Sequence, residues 1–220
     1  MKRKTVLFLA LLICLLTFLQ TTVFATNYNV YGTNLTVDMD DSEWYVFTRD
    51  NIKNNSELSE LGTSYEHMYD LFYNNDVYLD AYLFYEDDSF IEFLIRKMSF
   101  KDVEEISTYS FSSYDDAMDF AKELAKAVGA ENYEVYKSKY YYAKVDFFDS
   151  KINANSRGYA TVINGEYYTF TFQSIEEFTD SKYSEIKEVI DNVEFKTVES
   201  SEIASWNTAG QLISIARKKK

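Results

Sequence analysis

This chain of 220 residues has no proline, six glycines, one cysteine and one histidine. Each scarcity excludes some chemistry. Cys14 sits inside an apolar stretch near the start, so the rest of the chain can form no disulfide, thiol nucleophile or cysteine-based metal site. Histidine-based acid–base chemistry, or a Ser-His-Asp triad, would have to run through His67. That residue follows Glu66 beside an apolar stripe, the position of a surface or boundary histidine. No G-x-S-x-G elbow, H-E-x-x-H helix or phosphate-binding loop occurs. Proline and glycine fall below their usual shares of about 5% and 7%. Tyr, Asn, Phe, Ile and Lys stand in their place, all residues with AT-rich codons.

Positive charge is also scarce. Against 36 acidic residues there are 22 Lys and Arg, a net charge of −14. Such a surface repels phosphate backbones, so nucleic acid is not an expected partner, and broad adhesion to anionic lipid is disfavoured. Nor is there a long hydrophobic run. The one apolar stretch, Val6 to Leu16 with Phe18 and Leu19, is shorter than a bilayer span needs and is interrupted by Gln20.

That stretch is informative in another way. Lys2-Arg3-Lys4 precedes it and Ala25 closes it, the layout of a secretory leader cut after Ala25. An uncleaved N-terminal anchor is the alternative. Removing residues 1–25 takes away three basic and no acidic residues, leaving 19 Lys and Arg against 36 acids, or −17. The remaining 195 residues are enough for one domain with a sizeable core. A secreted domain without disulfides points to a bacterial export route.

Between residues 26 and 196 the pattern is mixed. Asn27 to Val37 reads as two short strands around a Gly32-Thr33-Asn34 turn, and Trp44 to Thr48 as another. Asp50 to Glu57 reads as a loop. A helix is expected from Thr63, with Thr63 and Glu66 forming a capping box and Tyr65, Met68, Tyr69 and Phe72 one apolar stripe. Val77 to Tyr85 and Phe90 to Arg96 form a hairpin around Glu86-Asp87-Asp88-Ser89. The next helix has Ser113 as its cap, Asp115 and Asp116 at its positive end, and Gly129 at its C-terminus. Strands follow at Tyr133–Lys137, Tyr140–Phe147, Gly158–Ile163 and Glu166–Phe172, the last two joined by Asn164-Gly165. A short helix over Ser181 to Asp191 precedes Val193 and Phe195. The expected fold is α+β, a single antiparallel sheet flanked by about three helices.

The stretch Gly158-Tyr159-Ala160-Thr161-Val162-Ile163-Asn164-Gly165-Glu166-Tyr167-Tyr168-Thr169-Phe170-Thr171-Phe172-Gln173, with the Tyr183–Ile190 helix and Val193-Glu194-Phe195, resembles the close of PsbP-like domains in exported bacterial proteins. The resemblance spans roughly residues 34–196 and rests on hydrophobicity and turn patterns. It implies an α/β/α sandwich and a non-enzymatic accessory role beside larger assemblies. It carries no residue role to any position here.

Three groups of residues are candidate sites. The strand tyrosines Tyr140, Tyr142, Tyr159, Tyr167 and Tyr168 would offer phenolic rings to a sugar or peptide if their sheet face were uncovered, and would otherwise be cross-strand packing. Asp38, Asp40, Asp41 and Glu43 gather hard oxygen ligands of the kind Ca²⁺ takes, without the EF-hand glycine and closing glutamate. Otherwise no metal is expected, and no cofactor. The tail 197–220 carries Trp206 and then Arg217, Lys218, Lys219 and Lys220, a pattern suited to tethering on lipid headgroups or wall polymer. The function expected is an exported, non-catalytic binding or accessory domain at the bacterial cell envelope, partnered by an envelope component or another protein. The alternative is a carboxylate-dependent hydrolase of extracellular polysaccharide, which would need two acids about 5–10 Å apart in a cleft.

Overall fold

The computed structural model describes residues 25–98 and 111–196. The leader-like segment before Ala25 and the tail, with Trp206, Arg217, Lys218, Lys219 and Lys220, lie outside the described residues. The described chain runs β1 (Thr26–Asn29), β2 (Leu35–Met39), β3 (Trp44–Thr48), α1 (Glu57–Glu60), α2 (Tyr65–Asn74), β4 (Val77–Phe84) and β5 (Phe90–Met98). It continues with α3 (Tyr114–Val128), β6 (Asn132–Lys137), β7 (Tyr141–Asp149), β8 (Ala154–Ile163), β9 (Glu166–Ser174), α4 (Asp180–Asp191) and β10 (Val193–Phe195).

The α+β class is as expected, but the strands form two sheets and the described helices number four. Seven strands pair in the order β3-β4-β5-β9-β8-β7-β6, and a smaller sheet has the order β1-β2-β10. All of these pairings are antiparallel. The single-sheet expectation fails because β10 is carried back by α4 to β2, at the far end of the chain, with Val193 opposite Val37. Nothing local to Val193-Glu194-Phe195 specifies that partner. Helix α1 escaped notice because four residues are too few to show a helical period.

Local signals account for the elements that position the surfaces. In α3, the Ser113 hydroxyl accepts from the Asp116 N–H while the Asp116 carboxylate accepts from the Ser113 N–H, and Gly129 closes the helix at φ 71°. Asn164 and Gly165 turn β8 into β9 with φ of 54° and 74°, the left-handed pair that a tight hairpin requires. For α2 the cap is Ser64, whose hydroxyl accepts from the His67 N–H at 3.2 Å, one residue later than expected and without the reciprocal glutamate. Its buried stripe is also narrower than expected. Met68 and Phe72 are inside, while Tyr65 and Tyr69 stand exposed.

Strand alternation divides the large sheet into two faces. One face, carrying Leu79, Ala81, Phe93, Ile95, Tyr159, Phe170 and Phe172, packs on the small sheet and on Ile186, Val189 and Ile190 of α4 to make the main core. The opposite face is covered in two separate places. Helices α1 and α2 bury Leu58, Met68 and Phe72 against Phe47, Val77 and Leu94 at one end. Helix α3 lays Ala117 and Ala121 on Ala143, Ala160 and Val162 towards the other.

Candidate functional site

The expected tyrosine surface is not open. Tyr142 has no exposed area, and Tyr159, Tyr167 and Tyr168 are buried as well. Tyr142, Tyr159 and Tyr168 face the small sheet, whose presence the sequence did not reveal, and their rings meet one another and Phe170, Phe172 and Phe195 edge to face. Tyr167 lies on the other face, under Phe120 of α3 at 5.4 Å. Tyr140 is half-buried, and its hydroxyl accepts from the Phe195 N–H at 3.0 Å, pinning β10 to the large sheet. All five rings are structural packing here.

The acidic turn is likewise engaged by its neighbours. Asp40 Oδ1 accepts from the Ser42 N–H and hydroxyl at 2.9 and 2.6 Å, Asp41 from the Thr26 hydroxyl at 2.6 Å, and Asp38 from the Asn27 amide at 2.6 Å. Asp38, Asp40 and Glu43 line a depression of about 360 Å³ together with Glu185 and Glu188 of α4. Burial, with Glu43 and Glu188 nearby, raises the Glu185 carboxyl above its ordinary value. Among the described residues no group of three or more acid, His or Cys side chains is arranged to hold a metal.

Two exposed aromatic features were not foreseen. Tyr65, Tyr69 and Tyr73 form a ridge along the outer side of α2, with ring centres 6.0 and 4.5 Å apart. Because Tyr69 and Tyr73 stack on each other, the ridge presents edges and hydroxyls rather than free ring faces. At the β3–β4–β5 end, Phe84 is 44% exposed and contacts Tyr45 at 5.8 Å and Phe90 at 5.7 Å.

The gap between the two helical covers is the surface that stands apart. Cross-strand register runs Tyr82, Glu92, Gln173, Ser156 and Phe147 in one row across β4, β5, β9, β8 and β7. The next row holds Asp80, Leu94, Thr171 and Gly158, and a third starts Arg96, Thr169. Glu92, Arg96, Thr169, Thr171 and Gln173 are half-buried, so the central strands of the sheet carry a polar strip that neither helical cluster covers.

Its electrostatics centre on one hydroxyl. Tyr82 Oη lies 2.9 Å from Asp80 Oδ2 and 3.3 Å from Glu92 Oε1. A phenol has one proton to give, so the two carboxyl groups compete for it. Burial drives Asp80 well above the ordinary carboxyl value, the Glu92 charge adds to this, and the Tyr82 hydrogen bond and Arg96 oppose it. Burial raises Glu92 too, against Tyr82, Arg96 and His67 of α2. Burial likewise lowers Arg96, while the two acids support its charge. Burial thus favours the protonated form of both carboxyls, and for Asp80 the neighbouring Glu92 charge adds to it. Asp80 Oδ1 and Ser156 Oγ are buried and have no hydrogen-bond partner among the described residues. An unpaired buried group of this kind costs about 1–3 kcal/mol.

No family model matches this chain, and no curated protein matches it. A solved structure does. The solution structure of cyanobacterial PsbP (CyanoP) from Synechocystis sp. PCC 6803 is similar to it, with a TM-score of 0.43 and 12% identity. The match covers 80% of this chain and 95% of that one. The likeness, like the resemblance in the sequence, is one of fold, and no residue role passes along it.

Asp80, Glu92, Gln173, Thr171 and Ser156 were not singled out from the sequence. A signal for them existed in β9, where Thr169, Thr171 and Gln173 alternate with Phe170 and Phe172. A half-polar strand at the centre of a sheet marks a side left open to water.

Proposed function

We propose that this chain is an exported, non-catalytic binding domain of the bacterial cell envelope, and that its contact surface is the polar strip across β5, β9 and β8. The leader-like start and the acidic, disulfide-free composition support the location. The observation that carries the binding role is the strip itself. Ordinary packing would cover a central sheet face with apolar side chains, yet here Glu92, Arg96, Thr169, Thr171 and Gln173 stay half-exposed between two covered regions. The buried tyrosines have no part in this reading.

The partner is an envelope component, and the basic tail from Arg217 to Lys220 is a candidate tether. Cosedimentation of residues 26–220 with cell-envelope fractions tests both parts. The domain with Thr171→Val and Gln173→Ala is expected to stay in the supernatant while the unaltered chain pellets. A chain ending at residue 196 is expected to pellet less, the remainder being binding by the strip. Equal pelleting of the unaltered and doubly substituted chains would sink the strip as the contact surface.

A further inference from the structure

We infer that the polar strip is a saccharide subsite, built to take pyranose units of a neutral polysaccharide. This inference rests on the reading of the strip as a contact surface and specifies what it contacts.

One row of the strip sets its groups in an order that suits a sugar. Tyr82 and Phe147, both half-buried, stand at its two ends, and between them lie a carboxylate, an amide and a hydroxyl, from Glu92, Gln173 and Ser156. A sugar ring presents apolar C–H faces and a rim of hydroxyls that both donate and accept. Aromatic walls around mixed donors and acceptors complement that chemistry. Thr171 of the neighbouring row adds a further hydroxyl, and Gly158 beside it has no side chain to raise the floor. A Cβ there would meet Val145 Cγ2 at 3.4 Å and Phe147 Cε1 at 3.8 Å, so these two side chains close over the backbone at Gly158.

The same face also holds unpartnered polar atoms. Ser156 Oγ and Asp80 Oδ1 are each more than nine-tenths buried on this same face and have no partner among the described residues. Native structures leave few such atoms, and those left call for a bound molecule or water.

Charge and shape decide against other classes. Arg96 stands beside Asp80 and Glu92 so that both signs meet in the strip, while the chain as a whole carries −14 and repels polyanions. A sheet face, unlike a sheet edge, offers no backbone groups for strand addition. Three strands at about 4.8 Å spacing and five residues at about 3.4 Å rise give a floor roughly 10 by 14 Å, room for a di- or trisaccharide.

The test is an NMR titration of residues 26–220, since a start at Thr26 removes no described element. The probes are cellotetraose, chitotetraose and laminaritetraose, each at millimolar concentration. At least one is expected to shift amides of Glu92, Thr171, Gln173 and Ser156. Thr171→Val and Gln173→Ala should each weaken that probe about three- to tenfold, the worth of one hydrogen bond, with an unchanged amide spectrum elsewhere. No shift with any of the three probes overturns the inference, and so do shifts confined to the Tyr65–Tyr73 ridge or to the acidic depression. If the chain pellets with envelopes yet ignores all three sugars, the saccharide class falls and envelope binding stands. If a sugar binds at the strip but the chain does not pellet, the envelope assignment falls and the subsite stands.

Discussion

Arg157 and Asp146 face each other across β8 and β7 and share two parallel hydrogen bonds, Nε to Oδ1 at 2.6 Å and Nη2 to Oδ2 at 2.7 Å. Arg157 is buried, and its guanidinium also lies 4.1 Å from the Tyr183 ring of α4. The fork therefore links the large sheet to the helix that covers it. Arg157→Lys keeps the charge but not the planar pair of donors. It is expected to cost about 1–3 kcal/mol, read as a lower urea midpoint at unchanged slope.

Asp80 makes a prediction about pH. Its folded pKa is raised above the ordinary 3.8, chiefly by burial and then by Glu92. A carboxyl raised in this way adds stability below its unfolded pKa and loses it as pH rises through the folded value. Asp80→Asn keeps an acceptor for Tyr82 and removes the titration. The advantage of D80N over the unaltered chain is expected to widen with rising pH within the range pH 4 to 8, as the folded carboxyl ionises, in urea denaturation. A constant difference across that range would show that Asp80 does not titrate as described.

Arg49 joins two elements at the end of α2. Its side chain donates to the Phe72 carbonyl in the last turn and to the Val77 carbonyl at 3.1 Å, and it lies over the Tyr78 ring at 3.8 Å. A cation there also opposes the negative end of the helix. Arg49→Met removes both bonds and the charge. It is expected to cost about 1–3 kcal/mol, and hydrogen exchange should rise first in the last turn of α2.

Gly158 gives a prediction of opposite sign. It has ordinary negative φ, and an added Cβ meets only van der Waals neighbours. Gly158→Ala is expected to stabilise the domain by about 0.4–1 kcal/mol through reduced freedom of the unfolded chain. The added methyl group packs against Val145 and Phe147, and the thermal midpoint should rise with it.

What could be read from the sequence was what neighbours along the chain decide. The Asn164-Gly165 hairpin, the Ser113–Asp116 box and the Gly129 cap are each settled within a few residues. Alternation along β7 also sets Tyr142 on the face of the main core and Tyr141 on the opposite one. It could not say which face another layer would cover, because the small sheet is made from residues over 150 positions apart, Val37 and Val193 being direct partners. The same limit hid the polar strip. Glu92 comes from the β4–β5 hairpin and Gln173 and Ser156 from the β8–β9 hairpin, and only the pairing of β5 with β9 sets them side by side.

The small sheet has a mechanical consequence. β1 and β10 both run antiparallel to β2 and hence parallel to each other, with Thr26 opposite Met39 at one end and Phe195 opposite Leu35 at the other. Tension applied at Thr26 and Lys196 therefore pulls along the strands, across hydrogen bonds that lie perpendicular to the load. Those bonds must rupture together in shear rather than open one by one like a zip. A domain held from both ends would resist stretching at just the sheet where its ends meet.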